Sequence, residues 1–491
     1  MAKAFETDVA TTPVPGRWIA MIILLVAQFM NLIDVTIVNV ALPSLQTAFG
    51  ASSSQIEWVV AGYILFFALL LLPSGRLGDI VGRRRMFILG VAVFTLGSAL
   101  CGMAPSIETL VAARVFQALG AAMMTPQTLA IIPVIFAPKE RGAAFALTGL
   151  TAGLAAVAGP VLGGWLIEAN IANLGWRPIF LVNIPVGIIA IIAAMIYLPK
   201  VKGAPGQGLD LVGTGLAGAV LLLVIFPLIE GRQVGWPTWC FVMMAAAIPV
   251  AVLFALWLRR QAARQGAQII PAALFGNHAF AIGTVLSASL FSGIPGFFLV
   301  LAIYLQSGYG LTPLQSGMTT VPFSLGVLVA SIISAKLGAR MLRPRITAGA
   351  VMLALAMIWV RFVAQGMGDE MVRLSFSPAL LLGGIGLGIA ISPLFQTILA
   401  GVAGRDTGAA SGGLQAFQQM GAALGVAVMG EMFFSTLAAA MKTGGAPHAA
   451  FATAIDYALI YNVVVFAAVA ALVWALPRPT VLTQQMAPIE V

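Results

Sequence analysis

Fourteen stretches of this 491-residue chain are long and apolar enough to cross a bilayer, and that constrains the fold more than any other feature. Hydrocarbon offers no water to backbone N–H and C=O groups, so a spanning segment must satisfy them internally, as a helix does. A spanning helix needs about 20 apolar residues. The runs lie at 18–41, 56–74, 86–104, 108–130, 143–167, 178–198, 210–229, 238–258, 279–305, 314–335, 346–364, 376–400, 409–434 and 455–476. Charged residues are only 8% of the chain, and no interval between runs has room for a soluble domain. The expected fold is an all-α integral membrane protein with fourteen transmembrane helices.

The charges that remain are unevenly placed. If the N-terminus is cytoplasmic, nineteen of the 25 Lys and Arg fall on the cytoplasmic side. Five fall opposite (Arg177, Arg232, Arg361, Arg373 and Lys442), and Arg114 lies inside a span. This asymmetry orients the chain with both termini in the cytoplasm. The net charge of +9 is thus a topology signal and not a nucleic-acid footprint. Cys101 and Cys240 lie in or near spans, which argues against a disulfide framework. Residues 1–17 carry acids and two prolines before a run of full spanning length, so they are not expected to be a cleaved signal peptide. His278 and His448 are single and distant, giving no metal spacing, and no phosphate-cradling loop points to ATP.

The chain contains an internal repeat. Ser74-Gly-Arg-Leu-Gly-Asp-Ile-Val-Gly-Arg-Arg-Arg85 aligns with Ser334-Ala-Lys-Leu-Gly-Ala-Arg-Met-Leu-Arg-Pro-Arg345, and Arg141-Gly-Ala-Ala144 aligns with Thr407-Gly-Ala-Ala410. Parallel repeats are a mark of transporters whose halves rock about a central site. The organisation read from this is a cytoplasmic segment at 1–17, a six-helix bundle at 18–198, and linkers with two inserted helices at 199–278. A second six-helix bundle follows at 279–476, pseudo-symmetric to the first, and then a cytoplasmic tail at 477–491.

A few residues break the apolar pattern. Asp34 lies deep in the first span, where a carboxyl group costs about 3 kcal/mol on insertion scales. Desolvation favours its neutral form, so it is a candidate to gain and lose a proton. Asn31 shares its helix face. Arg114 is the one basic residue well inside a span; a guanidinium keeps its charge and needs an acceptor or a wet cavity. Gln117 is on its face. Gly149 with Gly153, and Gly159 with Gly163, give small faces for close helix approach; Gly164 adjoins them and Pro160 can bend the span. Gln415, Gln418 and Gln419 form a polar face in the thirteenth span, and Glu431 lies near its outer end, as a second protonatable group or an interfacial acid. Glu57, Glu108, Glu168, Glu230 and Asp456 stand at span ends and are expected to be solvated. Phe29, Met30, Phe116 and Phe417 are candidates to line an adaptable apolar pocket.

Between the second and third spans, residues 75–87 read as a glycine-rich basic loop with one acid. It resembles motif A of the major facilitator superfamily, Gly-x-Leu-x-Asp-x-x-Gly-Arg-Arg. Leu32–Pro43 resembles the first-span motif of that superfamily's fourteen-span drug:proton antiporters. Leu110–Gly120 is similar to motif B, and Gly159-Pro-Val-Leu-Gly-Gly164 to the antiporter motif C. Trp176–Pro185 resembles a further family segment. The resemblance covers nearly the whole chain. It implies that Asp34 couples to protons, that Arg114 tunes Asp34, and that Gly75, Gly78, Asp79, Gly82, Arg83 and Arg84 form a cytoplasmic latch.

The function expected is export of lipophilic, often cationic, small molecules in exchange for protons, by a plasma-membrane carrier of the bacterial inner-membrane type. It would act as a monomer without metal or cofactor, driven by the proton gradient. The alternatives are a proton-coupled carrier of one physiological solute (a siderophore, amino acid or lipid) and the membrane subunit of a pump with a periplasmic adaptor. No nucleophile–base or metal constellation suggests an enzyme.

Overall fold

The computed structural model describes residues 16–136, 138–199, 210–231, 234–264, 266, 268, 274, 276–337, 341–368, 371–399, 407–442 and 447–476, with the side chains at a few helix positions, Arg76 and Asp79 among them, outside the description. The long elements are α1 (Arg17–Phe49), α2 (Ser53–Val81), α3 (Arg83–Met103), α4 (Ile107–Ile135) and α5 (Pro138–Glu168). The sixth run is split into α6 (Pro178–Leu181) and α7 (Asn183–Tyr197). Then come α8 (Leu211–Glu230), α9 (Thr238–Ala263), α10 (His278–Ile303), α11 (Pro313–Leu337), α12 (Leu342–Gly366), α13 (Ser377–Leu399), α14 (Thr407–Lys442) and α15 (Pro447–Leu472). Among the described residues thirteen helices are long and apolar enough to cross a membrane. The helix outside that set is α5, which runs unbroken through 31 residues.

Local chemistry sets the ends. Ser52 accepts from the Gln55 N–H and its own N–H is capped by the Gln55 side chain; Ser106 and Thr109 repeat the device at α4. Such reciprocal capping satisfies two orphan donors at a helix start. Gly50 ends α1 at φ 59°, the left-handed conformation that glycine adopts freely. The expected loop at 75–87 is mostly helix. α2 continues to Val81, and Gly82 alone, at φ 104°, turns the chain into α3. Gly75 and Gly78 are packing residues here. Gly75 faces Pro126, and a Cβ on Gly78 would collide with the Gln127 amide, which donates to the Ser74 carbonyl at 3.0 Å.

The packing repeats itself. α1 rests on α5 and α7, α4 on α2 and α3, and α3 on α7. In the second half α10 rests on α14 and α15, α13 on α11 and α12, and α12 on α15. The seam between halves is made where α5 meets α11 and α2 meets α14, with α1 touching α10 and α11. α8 sits against α2 and α14 and carries α9 on its outside. The α9 span is only 11% buried.

The seam contacts resolved at atom level lie at the end away from the chain termini. A Cβ on Gly164 would strike the backbone of Leu314, and one on Gly317 the carbonyl of Pro160. The first half is braced alike, with Gly159 pressed on Thr36 and Gly163 on Ile37. Gln306, in a π-helical turn after α10, donates to the Val40 carbonyl at 2.9 Å, and Thr312 donates to Glu168 at 3.2 Å. The motif C glycines therefore serve as a close seal, since small residues let backbones approach. The side-chain surroundings of Gly149 and Gly153 lie outside the described residues.

Candidate functional site

Asp34 and Arg114 come together inside the first half. Asp34 is fully buried and Arg114 is 2% exposed. Arg114 Nη1 donates to Asp34 Oδ2 at 2.5 Å and to Gln117 Oε1 at 2.6 Å, and its Nε donates to the Val59 carbonyl at 3.3 Å. The other carboxylate oxygen, Asp34 Oδ1, accepts from Gln117 Nε2 at 2.8 Å and from Asn183 Nδ2 at 2.9 Å. The Arg114 guanidinium lies 4.0 Å from the Tyr63 ring centroid, a cation–π contact in a water-poor site. Burying two charges is tolerated only when hydrogen bonds satisfy the remaining lone pairs and protons, and this cluster does so.

A second layer holds the first. Tyr63 donates to Asn31 Oδ1 at 2.6 Å. Asn183 also donates to Ser98 Oγ at 2.9 Å, and Ser98 donates to the Phe180 carbonyl at 2.8 Å. The break between α6 and α7 puts Phe180 and Asn183 on one wall of the site. Every partner of Asp34 belongs to α4 or α7, so the network turns as one piece with its half. Asn31, Met30 and Gln117, expected in a substrate cavity, are buried beside Asp34 in this structure. Asn183, Tyr63 and Ser98 were not among the expected site residues. Asn183 was visible only as a polar residue in the Trp176–Pro185 segment.

The remaining candidates divide by position. Gln418 is buried, while Phe29, Phe116, Gln415, Phe417 and Gln419 are half-buried. Glu431 is half-buried on α14 beside Gly430, whose missing Cβ leaves room for the carboxyl group of Glu57. Glu57 itself is fully buried at the α2–α14 seam, contrary to expectation. The other boundary acids also have partners: Glu108 accepts from Gln55, Glu230 from Trp58, and Asp456 pairs with Arg361 at 2.7 Å. In the basic segment Arg83 donates to the Ala130 carbonyl at 2.7 Å and Arg84 to the Met195 carbonyl, tying α3 to α4 and α7. The side chain of Asp79 is outside the described residues, so its part in a latch remains an expectation.

A buried ion pair and a close glycine contact between helices thus mark the candidate site. Residues 24–426 match the family model of the Major Facilitator Superfamily. The chain belongs to that superfamily. Among its relatives is a probable actinorhodin transporter of Streptomyces coelicolor, 40% identical over 88% of this chain and 75% of the relative. A puromycin resistance protein of Streptomyces alboniger is 34% identical, covering 91% and 88% of the two chains. A multidrug resistance protein of Mycobacterium tuberculosis is 31% identical, covering 84% and 75%. Among solved structures, a bacterial homologue of the human lysosomal transporter Spinster superposes with a TM-score of 0.66 at 18% identity, over 94% of this chain and 97% of that one. This superfamily member is therefore a multi-pass membrane protein of a transporter family that includes drug-efflux and antibiotic-resistance proteins.

Proposed function

We propose that the chain is a proton-coupled antiporter that exports lipophilic small molecules by alternating access, with fourteen spans in two pseudo-symmetric six-helix bundles and α8–α9 inserted between them. In this reading α5 is the fourteenth span, the termini are cytoplasmic, and the sealed end faces outward. The observation that carries the proposal is the Asp34–Arg114 pair, enclosed in one half while the outer seam is shut.

The cycle follows from the chemistry. With the outside sealed, Asp34 is charged and held by Arg114, Gln117 and Asn183. A proton arriving from outside must displace Arg114 from the carboxylate, and the freed guanidinium then needs new acceptors. That exchange links the charge of one aspartate to the shape of the first half. One pH unit supplies about 1.4 kcal/mol per proton, and the membrane potential adds to it. The relatives named for actinorhodin transport and for multidrug and puromycin resistance support export of drug-like compounds. Since two of those names specify single compounds, a carrier of one defined solute is the second reading.

The test is flux in proteoliposomes under an imposed pH gradient, comparing wild type with Asp34→Asn on a panel of lipophilic dyes. Gradient-driven accumulation should vanish in the variant while passive exchange persists. Equal gradient-driven flux in both proteins would sink the coupling role of Asp34.

A further inference from the structure

We infer that the carrier recognises its substrates as uncharged, hydrogen-bonding aromatic molecules, through amide side chains on the two sides of the seam and not through the charge of Asp34. The inference rests on the transporter reading above and narrows its substrate class. Most amides within the helices are engaged: Asn31, Gln117, Asn183, Gln306, Gln396 and Asn462 all hydrogen-bond inside the protein. Five are different. Gln28 and Asn39 on α1, and Gln415, Gln418 and Gln419 on α14, make no hydrogen bond to any described residue. Gln28 Oε1, Asn39 Oδ1 and Gln418 Nε2 are nevertheless shielded from solvent, and Gln418 is only 8% exposed.

Four of them stand at one depth, and Asn39 stands about 33 Å along α1. In the fourteen-span reading α1 and α14 run in the same direction and belong to opposite halves. Both lie against α2 and α10, so they flank the seam. At about 1.5 Å of rise per residue, Gln28 stands about 17 Å along α1 and the three glutamines about 12–18 Å along α14. Gln28 and Asn39 share the half-buried stripe of α1, opposite the stripe that carries Asp34. Phe29 and Phe417, both half-buried, stand next to these amides in sequence. An amide with nothing to bond, at this depth, costs about 1–3 kcal/mol when dry. A ligand carrying hydroxyl and carbonyl groups on an aromatic frame recovers that cost.

At the depth of Gln28 and the α14 glutamines this seam lacks charge; its buried acid, Glu57, lies in the first turns of α2. At this depth the described charged groups are Asp34 and Arg114, which neutralise one another inside the first half. The other pair, Arg361 with Asp456, lies between α12 and α15. Glu431 is about 18 Å further along α14 than Gln419. Because the partners of Asp34 move with it, rocking the halves does not offer its carboxylate to the seam. A permanent cation would enter without a counter-charge.

Equilibrium binding to the purified full-length protein tests this with two probes, neutral 1,4-dihydroxyanthraquinone and the cation tetraphenylphosphonium. The anthraquinone should bind, and Gln28→Leu or Gln415→Leu should each weaken it about tenfold with melting unchanged. Gln419→Glu should gain affinity for tetraphenylphosphonium. The inference is overturned if wild type binds the cation as tightly as the quinone, if the quinone does not bind, or if well-folded leucine variants bind it normally. Flux separates the two levels. Gradient-driven movement of the cation but not the quinone removes this inference alone, whereas movement of neither probe removes the antiporter reading with it.

Discussion

At Asp34 a single carboxylate receives three hydrogen bonds from Arg114, Gln117 and Asn183, and each partner has a separate consequence. Removing one member of a buried ion pair leaves the other charge uncompensated, at about 3–5 kcal/mol. Asp34→Ala should therefore lower stability strongly. Adding Arg114→Ala should cost less than the two single changes summed, as unfolding in detergent would read; strict additivity would mean that the pair does not couple. Asn183 donates to the charged form of Asp34. Asn183→Leu removes that bond and should lower gradient-driven flux while leaving membrane insertion unchanged. Asp34 and Arg114 were legible in the sequence because ionisable groups are rare and costly within spans. Asn183, Tyr63 and Ser98 were not, since neutral polar residues occur at many packing positions. What selects them is the adjacency of α1 to α4 and α7, a tertiary fact.

Among the elements, the glycines of α5 and α11 matter most. Gly164 and Gly317 meet backbone atoms, so an added methyl group has no flexible neighbour to displace. Gly164→Ala and Gly317→Ala should hold the α5–α11 seam open. Cysteines replacing Glu168 and Thr312, which lie in hydrogen-bond contact, should cross-link readily in the parent and poorly in either alanine variant. Equal cross-linking would show that the glycines do not set the approach. The spacing in span 5 announced close packing without naming the partner. The 75–87 segment misled for a related reason. Gly75 and Gly78 resemble turn residues by composition, but a chain with room for α4 against α2 keeps its helix and uses the glycines for contact.

For the whole molecule, the charge asymmetry and the packing symmetry carry different information. Arginines in the terminal-side turns should fix orientation, so replacing Arg83, Arg84 and Arg85 with alanine should give mixed topology in a C-terminal reporter assay. Asp79→Ala should insert normally and yet transport poorly. Aberrant insertion of Asp79→Ala would remove its assignment to switching. The repeat leads to the expectation of two matching halves, which stays part of the proposed function. It did not foretell how unlike their chemistry is. Asn183 reaches an acid on α1, whereas Asn462 on α15 reaches the Gly293 carbonyl on α10 and the Met357 sulfur on α12.

The α5–α11 contact has one more consequence, for idling. Gly164, Gly317 and their neighbours meet backbone against backbone, which leaves no room for water between them. Cells without drug to expel still maintain their gradient across every copy of the carrier. A shut seam too tight for a chain of waters keeps each empty copy from short-circuiting it.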